Sequence, residues 1–249
     1  MLIDIRNFKI MESKFIYNRV LLKLSGEALN SESESIYEND AINSITAQLG
    51  SLVDLGLELA IVIGGGNIWR GAYSKSNILK RTSADYMGML ATVMNAIYLR
   101  DSLNNAGFSA EIFNSFPMSP IVKGYDQNSV LRAIEEGKII IFSGGTGHPF
   151  FTTDTTSALR SLEIEAEALL KATKVDGIYT DDPNKNPNAR RYDKISYHEA
   201  LAKNLKVMDS AAFSICRDNK MPIVVFNFSD PENLEKVLQG DTTCATVVS

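Results

Sequence analysis

The sequence predicts an α/β fold, a mostly parallel sheet sandwiched between helical layers. Three observations carry that expectation. Short apolar runs alternate with longer segments of helical period almost to the C-terminus. The runs are apolar at successive positions, as strands covered on both faces must be. Several of them end in glycine-rich turns, and in open parallel sheets ligands lie just beyond the carboxyl ends of the strands.

The elements follow in order. Residues 20–24 read as the first strand, and residues 40–55 as a helix with Ile42, Ile45, Leu49, Leu52 and Val53 on one face. Residues 57–63 are a second buried strand. Thr82 or Ser83 caps a long helix through Asn105, with Met87, Leu90, Met94, Ile97 and Tyr98 as its inner stripe, and Gly107 ends it. A strand at 109–113, a helix at 126–136 stopped by Gly137, and a strand at 138–142 come next. Thr152, Thr153 and Asp154 open a helix that contains Leu159 and Leu162. Residues 165–249 supply a further strand, a polar loop over 180–191, two helices, a strand at 222–228 and a last helix after Pro231. The acidic stretch 31–38 reads as a solvated loop, and no internal repeat is visible.

Bulk properties exclude several functions. With 249 residues, 45% hydrophobic and 22% charged, the chain has the make-up of a soluble globular protein. A net charge of −5 argues against general nucleic-acid binding, so an anionic ligand must be held by a local site. Cys216 and Cys244 show no metal-ligand spacing and read as free thiols of a reducing compartment. No apolar run reaches the roughly 18 residues of a membrane span, and the first 18 residues lack the apolar stretch of a signal peptide. A cytoplasmic protein away from membranes is the expectation.

Four segments carry the chemistry: Leu22–Gly26, Ile63–Asn67, Ser143–Gly147 and Lys171–Gly177. Glycines let a backbone approach a phosphate, and successive N–H groups make an anion-binding concavity. Lys23 sits among leucines, where an ammonium is costly unless it meets an anion; an edge lysine reaching water is the alternative. No G-x-x-x-x-G-K-[ST] match exists, so a P-loop is excluded, and a dinucleotide-binding fingerprint is unsupported. The triple glycine 64–66 suits close approach to a transferring phosphoryl group, with Arg70 four residues on. Thr152 to Asp154 at a helix N-terminus suit an anion, although simple capping explains the same residues. His148 and His198 are not needed as bases, because transfer to a phosphate requires none. Thr173, Tyr179 and Asp182 flank an Asp-Gly turn that can hold a base and ribose, or be only a turn.

The segments KLSGEAL (23–29), IGGGN-x-WRG (63–71), MGMLATVMN (87–95), SGGTGHPFFTTD (143–154), KATKVDGIYTDDP (171–183) and KVMD (206–209) together resemble the bacterial uridylate kinases. That family belongs to the amino-acid kinase superfamily. The resemblance runs from about Asn18 to the C-terminus. It implies an αβα sandwich assembled as a homohexamer, and the reaction MgATP + UMP → MgADP + UDP, with Mg²⁺ carried on the ATP phosphates. It implies one domain over 18–249, its acceptor part about 18–165 and its ATP part about 166–249, after an unassigned extension at 1–17. By resemblance Lys23, Ser25, Gly26, Gly66 and Arg70 meet the ATP phosphates, Leu24 lies in the ATP site with them, and Thr173, Tyr179 and Asp182 meet its nucleoside. Gly65 and Asp85 meet UMP, and the loop Thr146, Gly147, His148, Pro149, Phe150, Phe151, Thr152 and Thr153 takes its phosphate. Lys23 and Asp154 form the catalytic pair by the same resemblance, Asp154 orienting the lysine or ordering the loop, with Lys171 and Lys174 as helpers. Residues 30–40 depart from the family by lacking its GFGID-like segment, which is linked to GTP activation. Other kinases of the fold, acting on carbamate, acetylglutamate or aspartate, are the nearest rivals; a non-catalytic nucleotide or oxyanion binder is a more distant one.

Overall fold

The computed structural model describes residues 14–30, 35–69, 78–183 and 185–249. Among them the chain forms a nine-stranded sheet. Its strands are β1 (Arg19–Leu24), β2 (Glu58–Ile63), β3 (Ala110–Asn114), β4 (Lys123–Gly124), β5 (Ile139–Ser143), β6 (Ala168–Thr173), β7 (Lys194–Ile195), β8 (Ile223–Asn227) and β9 (Ala245–Val248). Their order across the sheet is β4-β3-β5-β2-β1-β6-β8-β9-β7. Every pairing is parallel except β8 with β9. The mostly parallel α/β sheet expected from the sequence is therefore present, with β1 and β6 side by side at its centre.

The helices form two layers. On one face lie α1 (Asn39–Asp54), α2 (Arg81–Asn105) and α7 (Asn233–Leu238), packed on Leu22, Leu24, Ile61, Ile63 and Leu170. On the other lie α3 (Gln127–Glu135), α4 (Thr153–Glu163), α5 (Tyr197–Ala202) and α6 (Ser210–Asp218), packed on Leu21, Val62, Phe142 and Leu169. The two sets of strand residues alternate, because successive side chains point to opposite faces. Leu21, Leu22 and Leu24 are fully buried, and each such side chain contributes about 1.5–3 kcal/mol to folding. Of the segment ahead of β1, Phe15 is buried in the core, and the Ile16 N–H donates to the Leu238 carbonyl at 2.8 Å.

Three features differ from the expectation. α2 starts at Arg81 with Lys80 at its N-cap, and no side chain caps it. Of the expected inner stripe only Ile97 and Tyr98 pack, half-buried, against the core. Met87, Leu90 and Met94 are exposed, whereas Ala91, Thr92, Asn95, Ala96, Leu99 and Leu103 are buried. The reason is close approach: a Cβ placed on Gly65 would lie 2.8 Å from the Ala91 Cβ and 2.9 Å from the Gly88 carbonyl oxygen. Only small residues fit there, so the bulky ones face outward. Finally, β9 closes the chain as an antiparallel strand after the last helix, where no strand was expected.

Candidate active site

Parallel register builds the centre of the site. Lys23 of β1 pairs in the sheet with Lys171 of β6. Both lie at odd positions of the pleat with Leu21 and Leu169, so both ammonium groups emerge on the α4 face. Asp154, in the first turn of α4, stands between them. Its Oδ1 lies 3.2 Å from Lys23 Nζ and its Oδ2 lies 2.8 Å from Lys171 Nζ. Lys171 also donates to the Val207 carbonyl at 2.7 Å. The side chains of all three are only 14–16% exposed.

Charge decides the protonation states here. Burial opposes ionisation of Asp154, but the ammonium groups of Lys23 and Lys171 outweigh it and hold the carboxyl below its ordinary value. For Lys171 burial wins: despite Asp154, desolvation and the neighbouring Lys23 pull it below the usual lysine value. Two cations facing one carboxylate leave a net positive centre aimed at the carboxyl edge of the sheet. Such a centre can neutralise polyanionic ligands.

Asp154 is held by the start of α4. The Thr152 hydroxyl accepts from the Asp154 N–H at 3.0 Å and donates to Asp209. The Thr155 hydroxyl donates to Asp209 Oδ2 at 2.9 Å, and Asp209 Oδ1 accepts the Ala212 N–H as the N-cap of α6. One carboxylate thus ties two helix starts together. The N–H groups of Thr153 and Thr155 find no partner among the described residues, as expected of a first helical turn. They are available to an anion.

The glycine turns converge on the same edge. Ser25 follows β1 and caps a single 3-10 turn, Gly26–Leu29. A Cβ on Gly26 would fall 2.3 Å from Asn67 Oδ1 and 2.7 Å from the Gly64 carbonyl oxygen, so only glycine fits. The buried Asn95 of α2 donates to the Gly64 carbonyl at 2.7 Å and exchanges amide hydrogen bonds with Asn67. Thr92, also on α2, accepts the Gly144 N–H at 2.8 Å. Gly144, Gly145 and Gly147 have φ values of +76°, +57° and +79°, which favour glycine. The amides of Gly145 and Thr146 have no partner among the described residues.

Asp85 is brought to the far side of this loop. Its Oδ2 accepts the Phe150 N–H at 2.9 Å and lies 3.2 Å from Arg81 Nε. Phe150, with φ +74°, and Phe151 are largely exposed. His148 is exposed, and its backbone N–H and carbonyl hydrogen-bond the Thr146 hydroxyl. Thr173 ends β6 two residues past Lys171, and its hydroxyl donates to the Val175 carbonyl. Ser25, Thr173 and Lys174 line a cleft of about 800 Å³ together with Glu38 and Gln48. Tyr179 donates to Asp176 at 2.7 Å, and Asp182 pairs with Lys185 in the exposed loop beyond. Lys174 is exposed near Glu27, 3.8 Å away, and not at Asp154. Arg70 lies outside the described residues.

The structure therefore brings Lys23, Lys171, Asp154, Ser25, Gly26, Gly65 and the 144–153 loop to the carboxyl ends of the central strands, whereas Tyr179 and Asp182 lie in the chain after β6, in contact with Asp176 and Lys185. Reading the sequence residue by residue missed Asn67, Thr92, Asn95 and Asp209 as supports. The available signal was polar side chains inside otherwise apolar or helical segments, which are buried only when hydrogen-bonded.

Likeness to known proteins defines the class to which this fold and this centre belong. The chain is a member of the amino acid kinase family, whose sequence model matches residues 18–227. Among solved structures it is similar to the UMP kinase of Ureaplasma parvum, at 36% identity and TM-score 0.89 over 93% of this chain and 98% of that one. It is also similar to the UMP kinase of Bacillus anthracis, at 36% identity and TM-score 0.90 over 94% and 96%. The uridylate kinase of Archaeoglobus fulgidus is similar at 26% identity and TM-score 0.72 over 92% and 99%.

Proposed function

We propose that this chain is a UMP kinase, transferring the γ-phosphoryl group of MgATP to UMP to give MgADP and UDP. The observation that carries the proposal is the Lys23–Asp154–Lys171 centre, set between two sets of glycine turns on the carboxyl edge of the sheet. Phosphoryl transfer between phosphates needs positioning and charge neutralisation, with no covalent step by the protein. In this reading Lys23 bridges donor and acceptor phosphates, and Lys171 stabilises charge that develops on the transferring group. Asp154 aims both ammonium groups. Ser25, Gly26, Gly66 and Arg70 hold the donor phosphates beside Leu24, and Thr173, Tyr179 and Asp182 hold its nucleoside. Gly65, Asp85 and the loop from Thr146 to Thr153 hold UMP. Magnesium enters with the ATP and shields the phosphate oxygens.

The chain works as a homohexamer in the cytoplasm, within pyrimidine nucleotide synthesis. The exposed Met87, Leu90 and Met94 on α2 support contact between copies. None of the described helices is long and apolar enough to cross a membrane. The test is product analysis with MgATP and UMP, CMP, AMP, GMP or dTMP, beside Lys23→Ala. UDP from UMP, lost in the variant, is the expected result. No nucleoside diphosphate from any acceptor, with folded protein, refutes the reading.

A further inference from the structure

Arg160 of α4 is a buried guanidinium, 8% exposed, that the transfer chemistry does not use. A buried charge is costly unless its donors are met. Its Cζ stacks 3.4 Å above the Tyr125 ring, and Nη1 pairs with Glu163 at 2.5 Å. Its remaining fork points elsewhere: Nη2 donates to the Ser115 hydroxyl at 3.1 Å. Ser115 follows β3, and its hydroxyl in turn donates to the Gly145 carbonyl at 2.5 Å. Because an arginine only donates, it fixes the direction of the relay. With Arg160 occupying the oxygen, the serine proton is committed to Gly145.

The consequence lies in the peptide that follows. In a trans peptide the carbonyl and the next N–H point in opposite directions. Anchoring the Gly145 carbonyl on Ser115 therefore turns the Thr146 N–H away from β3. That amide is one of the loop N–H groups without a partner among the described residues. Gly145, at φ +57°, otherwise has two mirror-related wells open to it, so the loop does not set this orientation by itself. The Ser115 N–H also donates to the Ser143 carbonyl at 3.1 Å, which seats the serine against the end of β5.

We propose that Arg160 and Ser115 are positioning residues for the acceptor-phosphate loop, acting through the Gly145 carbonyl to aim the Thr146 N–H at the phosphate of the bound nucleotide. The inference rests on the reading that residues 144–153 receive that phosphate.

The experiment compares wild type, Ser115→Ala, Ser115→Thr and Arg160→Lys by steady-state kinetics with UMP and MgATP. Calorimetric binding of UMP and of uridine, which lacks the phosphate, and thermal midpoints complete it. Ser115→Ala is expected to raise KM for UMP about tenfold, the size of one lost hydrogen bond. Its KM for ATP and its midpoint stay near wild type, and turnover at saturating UMP falls less than threefold. Affinity for uridine is unaltered, and Ser115→Thr, which keeps the hydroxyl, restores the UMP value. Arg160→Lys shows the same split where it folds, and Ser115→Ala decides the matter where it does not. An unchanged UMP KM in Ser115→Ala, or equal losses for UMP and uridine, overturns the proposal. Wild-type protein that binds no UMP overturns the acceptor reading itself, and is seen before any variant is compared.

Discussion

At Asp154 a single carboxylate faces two ammonium groups, 3.2 and 2.8 Å away. In the proposed reaction Lys23 is the cation that meets the transferring group. Lys23→Ala is expected to lower kcat at least ~10²-fold, the size of one strong oxyanion donor, with an unchanged circular dichroism spectrum; a loss under tenfold contradicts the role. Asp154→Asn leaves two largely buried cations without their counter-ion. It should cost about 3–5 kcal/mol in urea unfolding, as breaking one side of a buried pair does. The pH dependence follows from the two shifts. The Asp154 carboxyl is depressed below 3.8 in the fold. Its stabilisation is therefore present above the unfolded carboxylate value and is lost as pH falls through the depressed one. Lys171 is depressed below 10.5, so its ammonium is lost earlier than an ordinary lysine's as pH rises. The rate–pH profile should fall on an alkaline limb below 10.5, and Lys171→Arg, which cannot deprotonate, should move that limb upward. The lysine pair also shows what a chain can disclose. Lys23 stood out as a charge among leucines, but its partnership with Lys171 depends on register between strands about 150 residues apart, which no local pattern contains.

Elements position the site by their ends. α4 and α6 start at the same carboxylate, Asp209, which holds Thr152, Thr155 and the Ala212 N–H. Asp209→Ala should cost about 1–2 kcal/mol, as loss of a helix cap does. It should also loosen the first turn of α4 and raise the KM for UMP; denaturant titration and kinetics check the two effects. The start of α4 was legible as a cap, since Thr-Thr-Asp precedes a helical run. α2 was legible in length and misread in orientation. Its apolar residues mark a face, but the buried side is decided by Gly65, on which a Cβ would lie 2.8 Å from the Ala91 Cβ, a tertiary constraint. β9 went unseen because a strand of only four residues carries too little pattern to stand out.

Across the whole molecule, the alternation of apolar runs and helical periods was enough to foretell the layered sheet, because central parallel strands must be apolar on both faces. The outward stripe of α2 belongs to this scale. Met87, Leu90 and Met94 are 39%, 46% and 49% exposed at helical spacing, an apolar strip on a helix of 25 residues. Replacing Leu90 and Met94 together by lysine should dissociate the proposed hexamer into smaller species, measured by light scattering coupled to size exclusion. An unaltered mass removes α2 from the assembly interface.

The pairing of β1 with β6 has one more consequence, for how the chain finds its fold. Each strand is a run of apolar residues that would satisfy several alignments almost equally well, and each run carries one lysine in its buried stretch, Lys23 or Lys171. A slip of one residue in either strand would drive its ammonium into the opposite layer, among Leu22, Leu24 and Leu170, far from Asp154. The charges proposed for the chemistry therefore also act as an alignment mark, penalising misthreaded intermediates that a uniformly greasy strand would tolerate.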